Sequence, residues 1–375
     1  MEFKVNSKDL EKLLSKIIPA VPTRTPMQIL ESFLFEVKDG LLTIYATDLE
    51  ISLKSSLNVA TEENIKIVVP ARLLYDIIKS LKETTIHFKL AANNKLFLNT
   101  DTGKYTLSYL EAVDYPEIPT VDSGNAKEVN QVNINGVEVR QAFEKTSFAM
   151  SKEEMRPAMM GTLLEFNEEG LRLVTTDGHR LVNLLKKNIN SGINQQYVIP
   201  ERAISVLLKV LDEKEVKLFI TKNYISFKLS DIELISRLIS QKYPDYSSVI
   251  PMENELRMKV NTKDIHDSIK RMMLFSTSST RRVKFSVSKD ALEISAEDLD
   301  IGASGEEKVN CEYNGELLEI GFNSSYVNDV LNHLTDNEEI IFKLHSPTKA
   351  VIIEPVQKKE NQELMMLLMP VRLNT

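Results

Sequence analysis

One pattern recurs three times along the 375 residues, at a period the size of a domain. A strand-like run leading into an acidic turn reads LLTIYATDLE from Leu41 to Glu50, LRLVTTDGHR from Leu171 to Arg180 and ALEISAEDLD from Ala291 to Asp300. Asp48 and Asp177 lie 129 residues apart, and Asp177 and Asp298 lie 121 apart, each close to a third of the chain. Other landmarks keep the same register. Asn6, Asn135 and Asn261 each follow a short apolar run and precede a helical pattern, at spacings of 129 and 126. Pro70, Pro200 and Asn323 open a second helical pattern at spacings of 130 and 123. Solenoid repeats are far shorter, whereas about 125 residues is an ordinary size for a compact domain. The chain therefore reads as three copies of one domain with joints near residues 122–130 and 250–257, giving expected domains 1–122, 129–251 and 252–375.

Within each copy the apolar periodicity separates helices from strands. Leu10, Leu13, Leu14 and Ile17 follow the i, i+3, i+4, i+7 spacing of one helix face, and Leu74, Ile77, Ile78 and Leu81 form a second such stripe. The segments Thr85 to Thr100, Val216 to Ser230 and Ile340 to Pro355 alternate around short polar turns, as antiparallel hairpins do. The fold class expected is α+β, with two helices per copy packed on one face of antiparallel sheets.

Charge narrows the function. Lys plus Arg total 46 against 54 Asp plus Glu, a net charge of −8, which argues against wholesale nucleic-acid binding unless the basic residues are segregated. Segregation is visible on the helices. Lys8, Lys12 and Lys16 recur opposite the first apolar stripe, and Arg72, Lys79 and Lys82 opposite the second. The equivalent helices carry Arg140 and Lys145, then Arg202 and Lys209, then Lys263, Lys270 and Arg271, whereas the sixth, from Ser324 to Leu334, carries none. One such face is ordinary solvated surface. Five of six in an acidic chain point to a positive surface that holds a phosphate backbone without sequence preference. The single cysteine, Cys311, fits a reducing compartment, and no apolar run has membrane-spanning length, nor does MEFKVNSKDL resemble a signal peptide. A cytoplasmic protein with no membrane partner is expected.

Two other classes compete. An enzyme would use Asp177 to orient His179 as a general base. Asp48 with Glu50 and Asp298 with Asp300 stand at the same places, however, so the aspartate reads more simply as a turn former that accepts backbone N–H groups. No nucleotide-binding glycine motif, HExxH or paired cysteine is present, and His87, His179, His266, His333 and His345 lack metal-ligand spacing. No catalysis, cofactor or metal is expected. The other alternative is a protein-only scaffold that displays a peptide pocket and never meets DNA.

Three strings in order, Thr176-Asp177-Gly178-His179-Arg180-Leu181, Tyr243-Pro244-Asp245-Tyr246 and Met369-Pro370-Val371-Arg372-Leu373, resemble the bacterial sliding clamp family, the beta subunit of DNA polymerase III, as does Pro22-Thr23-Arg24. The resemblance runs end to end. It implies two chains closed head to tail into a ring around double-stranded DNA, with helices lining the hole, that tethers the polymerase III catalytic subunit. It also implies a hydrophobic pocket for clamp loader, polymerase and repair proteins carrying a clamp-binding motif. The matching positions are Met159, Thr176, Gly178, His179, Arg180, Leu181, Pro244, Val249, Leu367, Met369, Pro370, Val371, Arg372 and Leu373. Arg24 and Arg156 are the DNA contacts the family suggests, joined by Lys12, Arg72, Arg202 and Lys270 from the basic helix faces. The homodimer joint matches Tyr105 and Leu107 on one side and Leu274 and Phe275 on the other. Val371 stands where the family often has Met, and Pro157-Ala158 where it can carry aromatic residues, which leaves a shallower pocket and no stacking residue in that loop.

Overall fold

The computed structural model describes residues 1–61, 63–121, 129–276 and 281–373; most of the first expected joint thus lies outside the described residues. The first third runs β1 (Glu2–Asn6), α1 (Ser7–Ile17), β2 (Ser32–Lys38), β3 (Leu41–Thr47), β4 (Ile51–Asn58), β5 (Ile65–Pro70), α2 (Ala71–Ser80), β6 (Thr85–Ala91), β7 (Lys95–Asn99) and β8 (Lys104–Ser108), with a two-residue β9 (Leu110–Glu111) added. The second runs β10 (Asn130–Asn135), α3 (Gly136–Thr146), β11 (Gly161–Asn167), β12 (Gly170–Thr176), β13 (Arg180–Lys186), β14 (Gln195–Pro200), α4 (Glu201–Val210), β15 (Glu215–Ile220), β16 (Tyr224–Lys228) and β17 (Ile232–Arg237). The third runs β18 (Leu256–Asn261), α5 (Thr262–Met272), β19 (Arg282–Ser288), β20 (Ala291–Asp298), β21 (Ala303–Tyr313), β22 (Leu318–Asn323), α6 (Ser324–Asn332), β23 (Glu339–Leu344), β24 (Val351–Pro355) and β25 (Gln362–Leu368). Apart from β9, the same order of strands and two helices is written three times.

The repeated asparagines do what their positions require. Asn6 Oδ1 accepts from the N–H groups of Lys8 and Asp9, Asn261 from Lys263 and Asp264, and Asn323 from Ser325 and Tyr326. Asn135 accepts from Val137 at 2.8 Å. Each satisfies donors that the first helical turn leaves orphaned, worth about 1 kcal/mol apiece. Pro70 precedes α2 without a side-chain cap, so the helix starts that Pro70 and Asn323 share in sequence are chemically different. Leu10, Leu13, Leu14 and Ile17 are buried as the α1 stripe demands, whereas of the second stripe Leu74 and Ile78 are buried and Ile77 and Leu81, the residue after α2, are half-buried. The hairpin β6–β7 turns through Asn93 and Asn94, both at positive φ (60° and 56°), a conformation asparagine tolerates.

The compact units do not follow the sequence repeats. One comprises Met1–Arg140 with Arg202–Leu238, the other Gln141–Glu201 with Ile239–Thr375. The first holds a four-stranded sheet, β1-β6-β7-β8, and a nine-stranded sheet, β10-β15-β16-β17-β4-β3-β2-β5-β9. The second holds a twelve-stranded sheet, β14-β11-β12-β13-β25-β24-β23-β18-β21-β20-β19-β22. Two antiparallel ladders join strands of neighbouring repeats: β4 with β17, where Leu53 faces Leu234, and β13 with β25, where Leu181 faces Leu367. Buried polar backbone at a repeat boundary is thereby paired within a sheet.

Candidate binding sites

In the second unit, the turn between β12 and β13 is built by two side chains and a glycine of its own sequence. Thr176 Oγ1 donates to the Arg180 carbonyl at 2.7 Å and accepts from Gly178 N–H at 3.1 Å. Asp177 Oδ1 accepts from the N–H groups of His179 (2.9 Å) and Arg180 (3.0 Å). Gly178 sits at φ 88°, where a side chain would be strained, and a Cβ there would lie 3.1 Å from Arg156 Nη1. The Asp177 and His179 side chains are not paired as a catalytic dyad. Asp177 Oδ2 holds Arg180 Nε at 3.0 Å, and the His179 ring stacks on Tyr326 of α6 at 5.8 Å. The turn-forming reading of the aspartate is the one the geometry supports.

Arg180 is drawn inward. Its Nη1 bonds Asp329 Oδ2 at 2.5 Å, its Nη2 bonds the Phe148 carbonyl at 3.0 Å, and its guanidinium lies over the rings of Phe148 and Tyr326. At 9% exposure it offers no free donor fork to a ligand. Its place is to lock the turn to α6. Sequence reasoning missed Phe148, Tyr326 and Asp329, because nothing local marks a residue whose partner is 149 positions away.

Beside this turn lies an apolar surface. Leu163, Val174, Leu181, Val198, Tyr243 and Leu367 form one buried cluster, with Tyr246 and Met365 packed against it. Burial pushes the Tyr243 phenol well up, and the Tyr246 phenol, half-buried and bonded to Glu165, is pushed up to about 12. Over the cluster run the residues after β25. Met369 N–H bonds the His179 carbonyl at 2.8 Å and Val371 N–H bonds the Gly321 carbonyl at 2.9 Å. A Cβ at Gly321 would come within 2.7 Å of the Val371 carbonyl, so glycine is required for this approach. The structure thus brings together Thr176, Gly178, His179, Leu181, Leu367 and Met369 to Leu373. Leu181, Leu367, Thr176 and Met159 are buried, while Pro244, Val249, His179, Met369 and Arg372 stand in solvent. Val249 is 53% and Met369 40% exposed.

In the first unit, a cleft of about 480 Å³ gathers Arg24, Arg72, Arg202 and Lys209 against a single carboxylate, Asp48. Arg202 Nε bonds Asp48 Oδ2 at 3.1 Å and its Nη2 the Pro19 carbonyl at 2.8 Å. Arg72 Nη2 reaches the Val21 and Pro22 carbonyls at 3.4 Å, so two cations hold the segment that carries Arg24. Arg24 itself is exposed, as are Lys12 on α1 and Lys270 on α5. The basic helix faces are less free than the spacing predicts. Lys8 pairs with Glu11, Lys16 with Asp231 and Arg271 with Glu307, and Lys145 with Asp336. Arg140 donates to the Leu208 and Leu211 carbonyls at the end of α4. Part of the positive charge therefore serves the fold.

The expected joint residues divide. Tyr105 is half-buried on β8, an outer strand of the four-stranded sheet, and Leu274 is 76% exposed. Leu107, at 3% exposure, is buried in its own unit. It lies on the inward side of the period-2 alternation of β8. Phe275 is half-buried against Gly305, where a Cβ would meet its ring at 2.6 Å.

Three family profiles of the DNA polymerase III beta subunit match in succession: its N-terminal domain over residues 1–119, its central domain over 133–245 and its C-terminal domain over 247–372. The chain belongs to the DNA polymerase III beta subunit family. It is 31% identical over 378 residues to the beta sliding clamp of Pseudomonas aeruginosa, covering all of both chains, and 28% identical over 338 residues to that of Chlamydia pneumoniae, covering 90% and 91%. A crystal structure of the Pseudomonas aeruginosa sliding clamp superposes with a TM-score of 0.91 at 30% identity over the whole of both chains. That of the Bacillus subtilis clamp does so with a TM-score of 0.93 at 26% identity, again over both whole chains. Members of this family are non-catalytic processivity subunits, so the chain is a sliding clamp of three tandem clamp domains and not an enzyme.

Proposed function

We propose that two copies of this chain close head to tail into a ring around double-stranded DNA, and that the apolar surface around Met369 docks short hydrophobic segments of the polymerase, the clamp loader and repair proteins in turn. The domains in this reading are 1–122, 129–251 and 252–375. The observation that carries it is the exposed Met369, tied by its N–H to the His179 carbonyl beside the buried Leu181–Leu367 core. Such a groove accepts large apolar side chains, and Met adapts to several. Met159, Thr176, Gly178, His179, Leu181, Pro244, Leu367, Pro370, Val371, Arg372 and Leu373 line it, and Arg180 holds its rim in place.

The electrostatics fit a protein retained by topology. Arg24, Arg72 and Arg202 share a cleft with one carboxylate, and Lys12, Arg156 and Lys270 add exposed charge. Weak, exchangeable phosphate contacts suit sliding, while the overall negative charge discourages DNA on other surfaces. Tyr105, Leu274 and Phe275 are the contacts proposed for the dimer joint. Chromosomal work of this kind places the protein in the cytoplasm, away from membranes; among the described residues no helix is long and apolar enough to cross one.

Retention on nicked circular DNA after loading by a clamp loader tests the ring. Protein that survives a high-salt wash and leaves when the circle is cut once is linked topologically. Loss in salt alone rejects the ring in favour of the protein-only scaffold.

A further inference from the structure

The apolar site around Met369 has a counterpart in the first unit. Tyr115, Ile118 and Val121 stand 128 residues before Tyr243, Tyr246 and Val249, and Leu34 and Val68 stand 129 and 130 before Leu163 and Val198. The ladders agree as well. Ile235 of β17 faces Ser52 of β4, as Leu367 of β25 faces Leu181 of β13. Arg237 N–H bonds the Glu50 carbonyl at 2.9 Å, as Met369 N–H bonds the His179 carbonyl at 2.8 Å. The same backbone frame is therefore built twice.

The two frames are finished differently. Where the second has Leu181 joining Leu163 to Leu367 in one cluster, the first has Ser52, whose hydroxyl is 2.9 Å from that of Thr47. Without that apolar floor its core divides into Leu34, Val68 and Tyr115 on one side and Val121, Phe219 and Ile235 on the other, and Ile118 packs against both. Val121 is consequently 2% exposed, against 53% for Val249. A side chain that lies in solvent in one frame is sunk into the core in the other.

We infer that the first frame is a copy of the docking site closed by the chain's own linker, with Val121 sunk into the core where Val249 leaves the second frame open. It follows that each chain presents one docking site and not two, and that the exclusion is steric and intramolecular. The inference rests on the docking role proposed above for the Met369 site.

The test uses the full-length protein and a fluorescein-labelled hexapeptide ending in two leucines. Titration should give one equivalent per chain for the wild type and two for the Val121→Gly, Ser52→Leu variant. Two equivalents in the wild type, or one in a variant that keeps a cooperative melting transition, overturns the inference. Thiol labelling gives an answer that does not depend on the double variant folding. The Val121→Cys protein should react about 100-fold more slowly than the Val249→Cys protein, the rate reflecting local opening, and peptide should slow only the latter. Equal rates overturn the inference. Cys311, buried and with its thiol pushed up to about 11, stays a silent background. A wild-type count of zero sinks the docking role itself, and the thiol contrast, which needs no peptide, distinguishes that failure from failure of the self-filled frame.

Discussion

The turn at Asp48 and the turn at Asp177 are the same construction put to different ends. Thr47 Oγ1 donates to the Ile51 carbonyl at 2.7 Å and accepts from Leu49 N–H, and Asp48 Oδ1 caps Glu50 and Ile51, matching Thr176 and Asp177 bond for bond. Leu49 adopts φ 76° where Gly178 adopts 88°. Even the second carboxylate oxygen does the same thing in each, holding an arginine Nε at 3.1 Å or 3.0 Å. What differs is where the arginine comes from and how far it is buried. Arg202 arrives from α4 with its side chain 36% exposed, in a cleft shared with three other cations. Arg180 belongs to the turn itself, has its side chain 10% exposed and is closed in by Asp329 and two aromatic rings. One turn presents charge to solvent, and the other uses charge to brace an apolar site. The third copy shows the limit of the design. Glu297 replaces the threonine, β20 runs on through Asp298, and Asp298 caps only the Asp300 N–H.

If burial decides the role, the cost of breaking each turn should follow burial. Arg180→Ala should cost about 3 kcal/mol by urea denaturation, because Asp177, its side chain 15% exposed, loses its cation in a poorly solvated place. It should also weaken peptide binding at Met369, and a loss no larger than that of Arg202→Ala would break the comparison. Asp329→Asn, which keeps the shape and removes the charge, should cost about 1.5 kcal/mol by the same measure. Arg202→Ala should cost only about 0.5 kcal/mol, since a third of that side chain is already in water, while shortening retention of the loaded protein on circular DNA. Asp298→Ala should fall within about 0.5 kcal/mol of the wild type. A larger effect there would mean that the third turn is supported by something other than its single cap.

How much of this could be read from the chain depends on the range of the interaction. The caps at Asn6, Asn135, Asn261 and Asn323, the Asn93-Asn94 turn and the role of Asp177 are local, and their residue types announce them. The apolar residues of the Met369 site were legible as a motif. The brace around Arg180 was not, since Phe148 and Tyr326 look like any aromatic residues until the fold brings them to 5.3 Å and 4.7 Å from its guanidinium. The basic stripe was overread for the same reason. Lys16 and Arg271 appear free along their helices, and their partners Asp231 and Glu307 come from other elements. Nor does a repeat visible in sequence reveal that β4 pairs with β17 and β13 with β25.

Those two ladders bear on how the chain is made. A protein emerging from the ribosome has β4 complete long before β17 exists, and β13 long before β25. Each nascent unit therefore waits with an unpaired strand edge for more than a hundred residues of further synthesis, a template that another chain can mistake for its own partner. The apolar run Leu364 to Leu368 in β25 closes the edge left open since β13. A translation arrest just short of it would leave that apolar strand edge unpaired.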